Sequence, residues 1–121
     1  MTAFAERFEN RAMPMFERNF GSEVVLIAGA KASDPFTGIR SERVYEAFDT
    51  QTRLPVKVAS HDWLIPKTAP LIDGQRVDPR AGMKIRSGED EYEIGPVAKR
   101  PAVELRTGKY RYLVHTQQVT R

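Results

Sequence analysis

Residues 78–97 constrain the fold of this chain more than any other stretch, because two short alternating segments flank a polar turn. Met83 and Ile85 alternate with basic residues, and Tyr92 and Ile94 alternate with polar residues on the return. This alternation is typical of half-buried strands, and the Ser-Gly-Glu-Asp turn contains the glycine that tight reversals favour. The stretch therefore predicts an antiparallel β-hairpin with one apolar face and one charged face.

The charged face of this hairpin combines opposite signs. Lys84 and Arg86 can lie across from Glu91 and Glu93, which adds up to about 1 kcal/mol for each opposed pair. A lone hairpin is nevertheless marginal in water, so further strands must cover its apolar face. The 121 residues are 40% hydrophobic and 29% charged, a composition that allows a single domain, residues 1–121, with its own core.

The rest of the chain supplies strand signals at short intervals. Apolar or β-branched runs predict strands in the segments 24–28, 43–48, 54–59, 103–105 and 110–116, with brief apolar pairs at 64–65 and 71–72. About seven short strands predict a mainly β fold, a small antiparallel β-barrel or sandwich over residues 22–121 with long loops. Pro55 places its strand at an edge or at a first residue.

The N-terminal segment, residues 1–20, has a different pattern. Phe4, Phe8 and Ala12 fall on one face of a helix, Pro14 interrupts it, and Gly21 ends it. We expect a short helical segment that either closes one end of the β structure or reaches a neighbouring subunit.

Two segments lack regular periodicity. Residues 29–40 carry two glycines and a Ser-Asp-Pro turn, and residues 60–75 contain the single tryptophan and further proline and glycine. Residues 29–40 either fold back over the core of the chain or are a mobile segment that becomes ordered against a partner, and residues 60–75 are a second candidate for such a mobile segment. In the mobile case the candidate interface residues are Phe36, Ile39, Arg40, Trp63 and Leu64.

Charge is distributed unevenly along the chain. The net charge is +3, but residues 1–97 carry −2 and residues 98–121 carry +5. A basic face with Lys99, Arg100, Lys109 and Arg111 can meet acidic protein or phosphate, or it is the solvated side of a strand. Tyrosines alternate with these cations at residues 110 and 112, as in strands that bind nucleic acid, but the alternation places the tyrosines on the core side.

The sequence contains no pattern that requires catalysis. It has no cysteine, and its two histidines, His61 and His115, have no metal-ligand spacing and are expected on the surface or in hydrogen bonds. A nucleophile elbow and a phosphate-binding loop are both missing from the sequence. We therefore expect no enzyme activity, no metal and no cofactor. No apolar run has the length of a membrane span, and the first residues do not form a secretory signal.

The order of these features resembles the small head–tail joining proteins (connectors, or tail-attachment proteins) of tailed phages and prophages. A Phe-rich start and the step from Pro14 to Gly21 into the first strand also occur in that family. The residues that carry the resemblance most specifically are Asp78-Pro79-Arg80-Ala81-Gly82-Met83-Lys84-Ile85, Gly88, Tyr92-Glu93-Ile94, Pro96 and Tyr112-Leu113-Val114-His115-Thr116.

The resemblance implies a structural virion protein. Such a chain would be a monomer in isolation and would form a ring in the virion neck, between the portal or connector and the tail proteins, after assembly in the host cytoplasm. Its basic segment could contact the DNA in the channel, and no membrane would be involved. The alternatives are a tail terminator or tail-tube subunit, and a small nucleic-acid-binding β-barrel.

Overall fold

Strands make up most of the part of the chain that the structure describes. The computed structural model describes residues 21–106 and 110–119. The predicted N-terminal helical segment lies outside this part of the chain, and within it no helix has the length and apolarity of a membrane span. The strands are β1 (Gly21–Ala28), β2 (Lys31–Ala32), β3 (Phe36–Phe48), β4 (Pro55–Pro66), β5 (Leu71–Ile72), β6 (Gln75–Arg76), β7 (Lys84–Ser87), β8 (Asp90–Ile94), β9 (Val103–Arg106) and β10 (Arg111–Gln118).

The main sheet is antiparallel and curls until its ends meet. Starting from β1, the neighbours are β3, β4, β10, β8 and β7, and β7 pairs again with β1, with Leu26 opposite Ile85. These strands form a partly closed circuit, to which β2 and β9 are added at β1 and β10. The predicted fold class, a mainly β chain with a small antiparallel barrel or sandwich, is confirmed, and the pairing favours the barrel form.

The predicted hairpin is present as β7 and β8. Ile85 and Tyr92 are direct partners in the register and are both buried. On the other face Arg86 lies opposite Glu91, with Nε at 3.9 Å from Oε2, so the predicted pairing of opposite charges is confirmed there. Met83 precedes the strand and packs against the core while remaining partly exposed.

Every strand of the circuit contributes to one core. Burying a large apolar side chain stabilises a fold by about 1.5–3 kcal/mol, so a core shared in this way stabilises all the strand pairings together. The buried core residues are Val24, Leu26, Phe36, Trp63, Ile65, Ile85, Tyr92, Ile94 and Val114.

Residues 29–40, predicted as one long loop, contain β2 and the start of β3. Phe36 is 7% exposed and belongs to the core, so the expectation of an exposed anchor there is wrong. Ser33 holds the bend before β3, because its Oγ accepts a hydrogen bond from the Leu26 N–H and its own N–H donates to the Leu26 carbonyl, each at 2.8 Å. The segment therefore folds back on its own core, the first of the two alternatives.

Gly38 explains why the sequence pattern was misleading at this point. It resembles a loop residue, but it lies within β3, opposite Ser22. A Cβ at this position would lie 3.1 Å from Cε3 of Trp63, 3.3 Å from Cγ2 of Val24 and 3.4 Å from Cγ2 of Ile65. A glycine in a strand often marks such a close approach, and here it leaves room for the largest side chain of the core.

β3 and β4 are also longer than predicted, at 13 and 12 residues. Their register runs from Ile39 opposite Leu64 to Phe48 opposite Pro55, and Pro55 is the first residue of its strand, as predicted. β4 therefore includes the first part of residues 60–75, where only brief strands at the apolar pairs 64–65 and 71–72 were predicted, and the second pair forms β5. Trp63 is 1% exposed, so the expectation of a mobile, accessible tryptophan is wrong.

The close contact at Gly38 predicts a stability effect. Gly38→Ala should lower the free energy of unfolding by about 1–3 kcal/mol relative to Gly95→Ala, because its new methyl group is forced against a packed core. Gly95 is a matched control, since a Cβ there would have no atom within 4 Å. Urea denaturation of both variants measures the difference, and equal stabilities would contradict the packing role of Gly38.

Candidate functional site

The far half of the β3–β4 hairpin extends beyond the barrel. β3 pairs with β1 only between Phe36 and Ile39, and β4 pairs with β10 only from His61 to Pro66. Residues 43–59, here called the arm, are consequently a two-stranded ribbon whose outer edges pair with no other described strand. A two-stranded ribbon is marginal in water without packing against something else.

The arm carries most of the exposed large hydrophobic side chains of the described chain. Val44 is 63% exposed, Phe48 69%, Leu54 62% and Val56 39%, and the remaining one, Leu105, lies on β9. Side chains of a strand alternate between its two faces, which places Val44 and Phe48, four residues apart on β3, on the same side of the ribbon. Single exposed apolar residues are common, but a concentration of them on one projecting element marks an interaction surface.

The turn of the arm is well defined. Asp49 organises it: its Oδ1 accepts a hydrogen bond from the Gln51 N–H at 2.8 Å, and its carbonyl accepts one from the Arg53 N–H at 2.8 Å. The Asp49 N–H in turn donates to the Leu54 carbonyl at 3.0 Å. These bonds allow the turn to hold Leu54 outward in a fixed position.

A buried polar cluster lies at the base of the arm. The ring of His115 on β10 is fully buried, with Nδ1 at 2.8 Å from Oδ1 of Asp62 and Nε2 at 2.6 Å from Oε2 of Glu104. Asp62 also accepts hydrogen bonds from the Ser60 hydroxyl, at 2.6 Å, and from the Tyr45 hydroxyl. The cluster thus joins β3, β4, β9 and β10, and through Tyr45 it attaches the arm to the barrel.

The electrostatics of this cluster favour ionised carboxylates. Burial raises the pKa of Asp62, but hydrogen bonds from Ser60, Tyr45 and His115 outweigh it and hold the pKa below its ordinary value of 3.8. The hydrogen bond from His115 is the main cause that lowers the pKa of Glu104 below 4.5. Burial, together with the acceptor Asp62, raises the pKa of Tyr45 to about 12.

The hydrogen-bond pattern is that of a structural tie. Each nitrogen of His115 faces a carboxylate, and a carboxylate only accepts hydrogen bonds, so the protonated ring is the form that donates to both. The Ser60 hydroxyl donates its one proton to Asp62 at 2.6 Å and has the Thr116 carbonyl at 3.4 Å, so it does not donate to the imidazole. The pair of serine and general base that activates a nucleophile is therefore not formed by these residues.

A charged turn borders the arm on the same side as the cluster. Val97 and Arg100 form an isolated β-bridge, and Ala98 between them has a φ of 52°, a conformation that is unusual for alanine. The Arg100 guanidinium lies 5.1 Å from the Tyr45 ring centroid and 3.5 Å from Oε1 of Glu104. Arg100 thereby links this turn to both the arm and the cluster.

The predicted interface residues are separated by the fold. Phe36 and Trp63 are in the core, whereas Ile39 and Leu64 are half-buried partners across β3 and β4. Arg40 is exposed at one mouth of the barrel, where it donates a hydrogen bond of 2.7 Å to the Tyr92 hydroxyl.

The mouth of the barrel also contains His61. Its ring lies 5.2 Å from that of Tyr92, and its Nδ1 is 3.7 Å from Oε1 of Glu42. No group of three or more His, Asp or Glu side chains within residues 21–106 and 110–119 is arranged to hold a metal ion.

The predicted basic face is only partly on the surface. Lys99 and Arg100 are exposed, Lys109 is outside the described residues, and Arg111 is 4% exposed, so Arg111 is not part of a solvated face. Tyr112 packs against the core, as expected, and its hydroxyl donates to Oδ1 of Asp78 at 2.8 Å. A base-stacking role is not favoured for a tyrosine held in this way.

Sequence reasoning missed the arm and the His115 cluster. The arm strands were predicted, but their length was not, since the inner halves of β3 and β4 lay in segments with loop-like residues. The cluster joins residues 53 and 11 positions apart, and no local pattern links Asp62 or Glu104 to His115. The one available signal was that His115 lies within a strongly apolar strand, because a histidine that is buried there needs polar partners.

The cluster predicts how stability depends on pH. Because the pKa values of Asp62 and Glu104 are depressed in the folded chain, their contribution is complete above their ordinary values and is lost as the pH falls through the folded-state values. Asp62→Asn removes one titrating group. The free energy of unfolding of this variant should be lower at neutral pH and should fall less steeply than that of the parent from about pH 5 to about pH 2.

Urea denaturation over that pH range provides the measurement. Glu89→Gln is the control, since it removes an exposed carboxylate outside the cluster and should leave the slope unchanged. Identical slopes for Asp62→Asn and the parent protein would show that Asp62 does not titrate as the cluster requires.

Neither a protein-family model nor a curated protein matches this chain. The features that carry information on its function are therefore the arm, the cluster at its base and the charged turn beside it.

Proposed function

We propose that this protein is a structural component of a tailed-phage virion, which joins the head to the tail as part of a ring in the neck. Its partners are the portal or connector on one side and tail proteins on the other. The proposal combines two independent supports: the resemblance of residues 78–97 and 112–116 to head–tail joining proteins, and the geometry of the arm.

The arm is the observation that carries this proposal. It is a ribbon with exposed Val44, Phe48 and Leu54, and it projects from a partly closed barrel whose core does not include those side chains. Such a surface is costly on a chain that remains alone, since exposed apolar patches favour association. It suits a subunit that buries the arm against a neighbour during assembly.

The cluster at the base of the arm supports the same function. A protein that joins two assemblies must keep them in a fixed orientation under load. An element that projects from it and makes the contact therefore has to be held at a fixed angle. Tyr45 connects the arm to Asp62, and His115 connects Asp62 to Glu104 on β9. The buried groups of this network are satisfied by one another, which gives a rigid connection.

A small subunit that remains unassembled until its partners are present also needs weak contacts between its own copies. The exposed apolar residues of the arm are few, and one such contact gives modest affinity between two copies. A ring multiplies that contact and adds the benefit of closure, because the last subunit binds two neighbours at once. The isolated chain is therefore expected to be a monomer at low concentration. The exposed cations Lys99 and Arg100 are available to acidic protein surfaces or to DNA in the neck.

Disruption of the gene in the phage that encodes this chain tests the function. The expected result is DNA-filled heads and complete tails that remain unjoined in electron micrographs of lysates. Joined, infectious particles in the disrupted phage would overturn the proposal. Empty heads with normal tails, or tails of abnormal length, would instead indicate a role in packaging or tail termination.

Point variants connect this phenotype to the arm. Phe48→Asp should reduce the yield of joined particles while the purified chain keeps the thermal stability of the parent, since Phe48 lies outside the core. Leu105→Asp is the matched control, because it changes an apolar residue that is 47% exposed on β9, away from the arm. Normal assembly with Phe48→Asp would exclude the arm as the joining surface.

A further inference from the structure

Two charged elements lie at the same end of the barrel. β4 runs antiparallel to β10, with Thr116 opposite His61, so the arm that precedes His61 extends past the end of β10. β8 is also antiparallel to β10, with Gln118 opposite Tyr92, which places the β7–β8 turn at that end as well. The Val119 N–H donates to the Glu91 carbonyl at 2.8 Å and fixes this arrangement.

These elements lie on opposite sides of the barrel. In the circuit of strands, β1 separates β3 from β7 on one side, and β10 separates β4 from β8 on the other. The arm and the β7–β8 turn are thus at the same height and face away from each other. Two surfaces placed in this way can meet between neighbouring copies that stand side by side, without either copy being inverted.

The β7–β8 hairpin is acidic. Residues 84–94 contain two basic and four acidic side chains, a net charge of −2. Glu89 and Asp90 at its tip are exposed, and neither takes part in an ion pair with another described residue. Gly88, with a φ of 61°, makes the turn tight and the tip narrow.

The arm side is basic and contains a groove. Residues 43–59 and 97–100 together contain five basic and two acidic side chains, a net charge of +3. Between the arm and the charged turn lies a cavity of about 310 Å³, whose lining includes Tyr45, Glu46, Phe48, Ala98, Lys99 and Arg100. Glu46, the one carboxylate of this lining, lies opposite Lys57 in the register of the arm. Its volume is near the lower limit of small-ligand pockets, which is compatible with a narrow hairpin tip.

Lys99 is the cation of this groove whose charge is available for an acidic partner. Arg100 is already paired with Glu104 and stacked on Tyr45, whereas none of the ion pairs between described residues involves Lys99. The unusual φ of Ala98 is part of the short turn that presents the exposed Lys99. A non-glycine residue in such a conformation carries strain, and strained positions cluster at binding sites.

We propose that the acidic β7–β8 turn of one copy docks into the groove between the arm and the charged turn of the next copy. The proposal rests on the ring described under the proposed function and identifies the contact that builds it. Each copy uses a different surface towards each neighbour, so the contact is heterologous and repeats around an axis until it closes. The opposite charges and shapes of the two surfaces in one chain favour a second copy as the occupant.

The charges mainly determine the partner and the register of this contact. Complementary potentials speed encounter and disfavour wrong orientations, and salt screens them. The apolar side chains on the arm, Phe48 among them, contribute the burial that charge pairs alone do not provide. The contact should therefore weaken as salt is added without disappearing completely.

The experiment uses the full chain, which has no cysteine of its own. Glu89→Cys and Lys99→Cys are prepared as separate proteins, mixed at a concentration where copies associate, and oxidised. Docking predicts a disulfide-linked heterodimer in the mixture, and a ladder of higher multimers from one chain that carries both substitutions. The control replaces Lys99→Cys with Lys31→Cys, an exposed lysine on β2 at the opposite end of the barrel.

Charge exchange tests the same contact by a different route. Glu89→Lys alone and Lys99→Glu alone should each lower self-association in sedimentation velocity by up to about fivefold, the effect of losing one exposed ion pair. The chain with both substitutions should associate as the parent does, because the pair is restored with reversed signs. Failure of the double variant to recover would overturn the contact.

The remaining outcomes separate this inference from the proposed function. Equal cross-linking of Glu89→Cys with Lys99→Cys and with Lys31→Cys, or no cross-link with either, overturns the proposed contact. The joining function is then still decided by the result of the gene disruption. A specific cross-link in a chain whose disruption still gives joined particles supports the contact and overturns the joining function.

Discussion

The imidazole of His115, held between carboxylates from two other strands, is the interaction on which the geometry of this molecule depends. The Asp62 side chain is fully buried and that of Glu104 is 17% exposed, and the histidine between them offsets the cost of shielding these carboxylates from water. The same Asp62 accepts a hydrogen bond from the hydroxyl of Tyr45. The charged network in the barrel wall therefore also determines the position of the arm. A purely apolar wall would pack equally well but would not hold the ribbon at a fixed angle.

The circuit of strands provides the second constraint. The contact between β1 and β7 is short, yet it decides which elements become neighbours and which are separated. Without it the sheet would be open, and the arm and the acidic hairpin would be related only through β10. With it, the core side chains face inward, and the two charged elements are presented on opposite sides at one end.

The fold was largely predictable where the pattern is local. Ile85, Tyr92 and Ile94 alternate with charged residues, and that alternation alone predicts the β7–β8 hairpin and its buried face. The prediction failed at Gly38, because a glycine required for close packing looks the same in sequence as a glycine required for a turn. The site was less predictable than the fold. Exposure of Val44 and Phe48 depends on where neighbouring strands end, and the partners of His115 are distant in sequence.

The outer edges of the arm have a further consequence. A ribbon whose backbone N–H and carbonyl groups face outward can recruit any extended segment, and repeated recruitment produces fibres. Pro55, which lacks an N–H, and the alternating charges of Arg43, Glu46 and Lys57 act against such growth. These residues therefore protect the isolated chain against edge-to-edge growth for as long as the edges of the arm are uncovered.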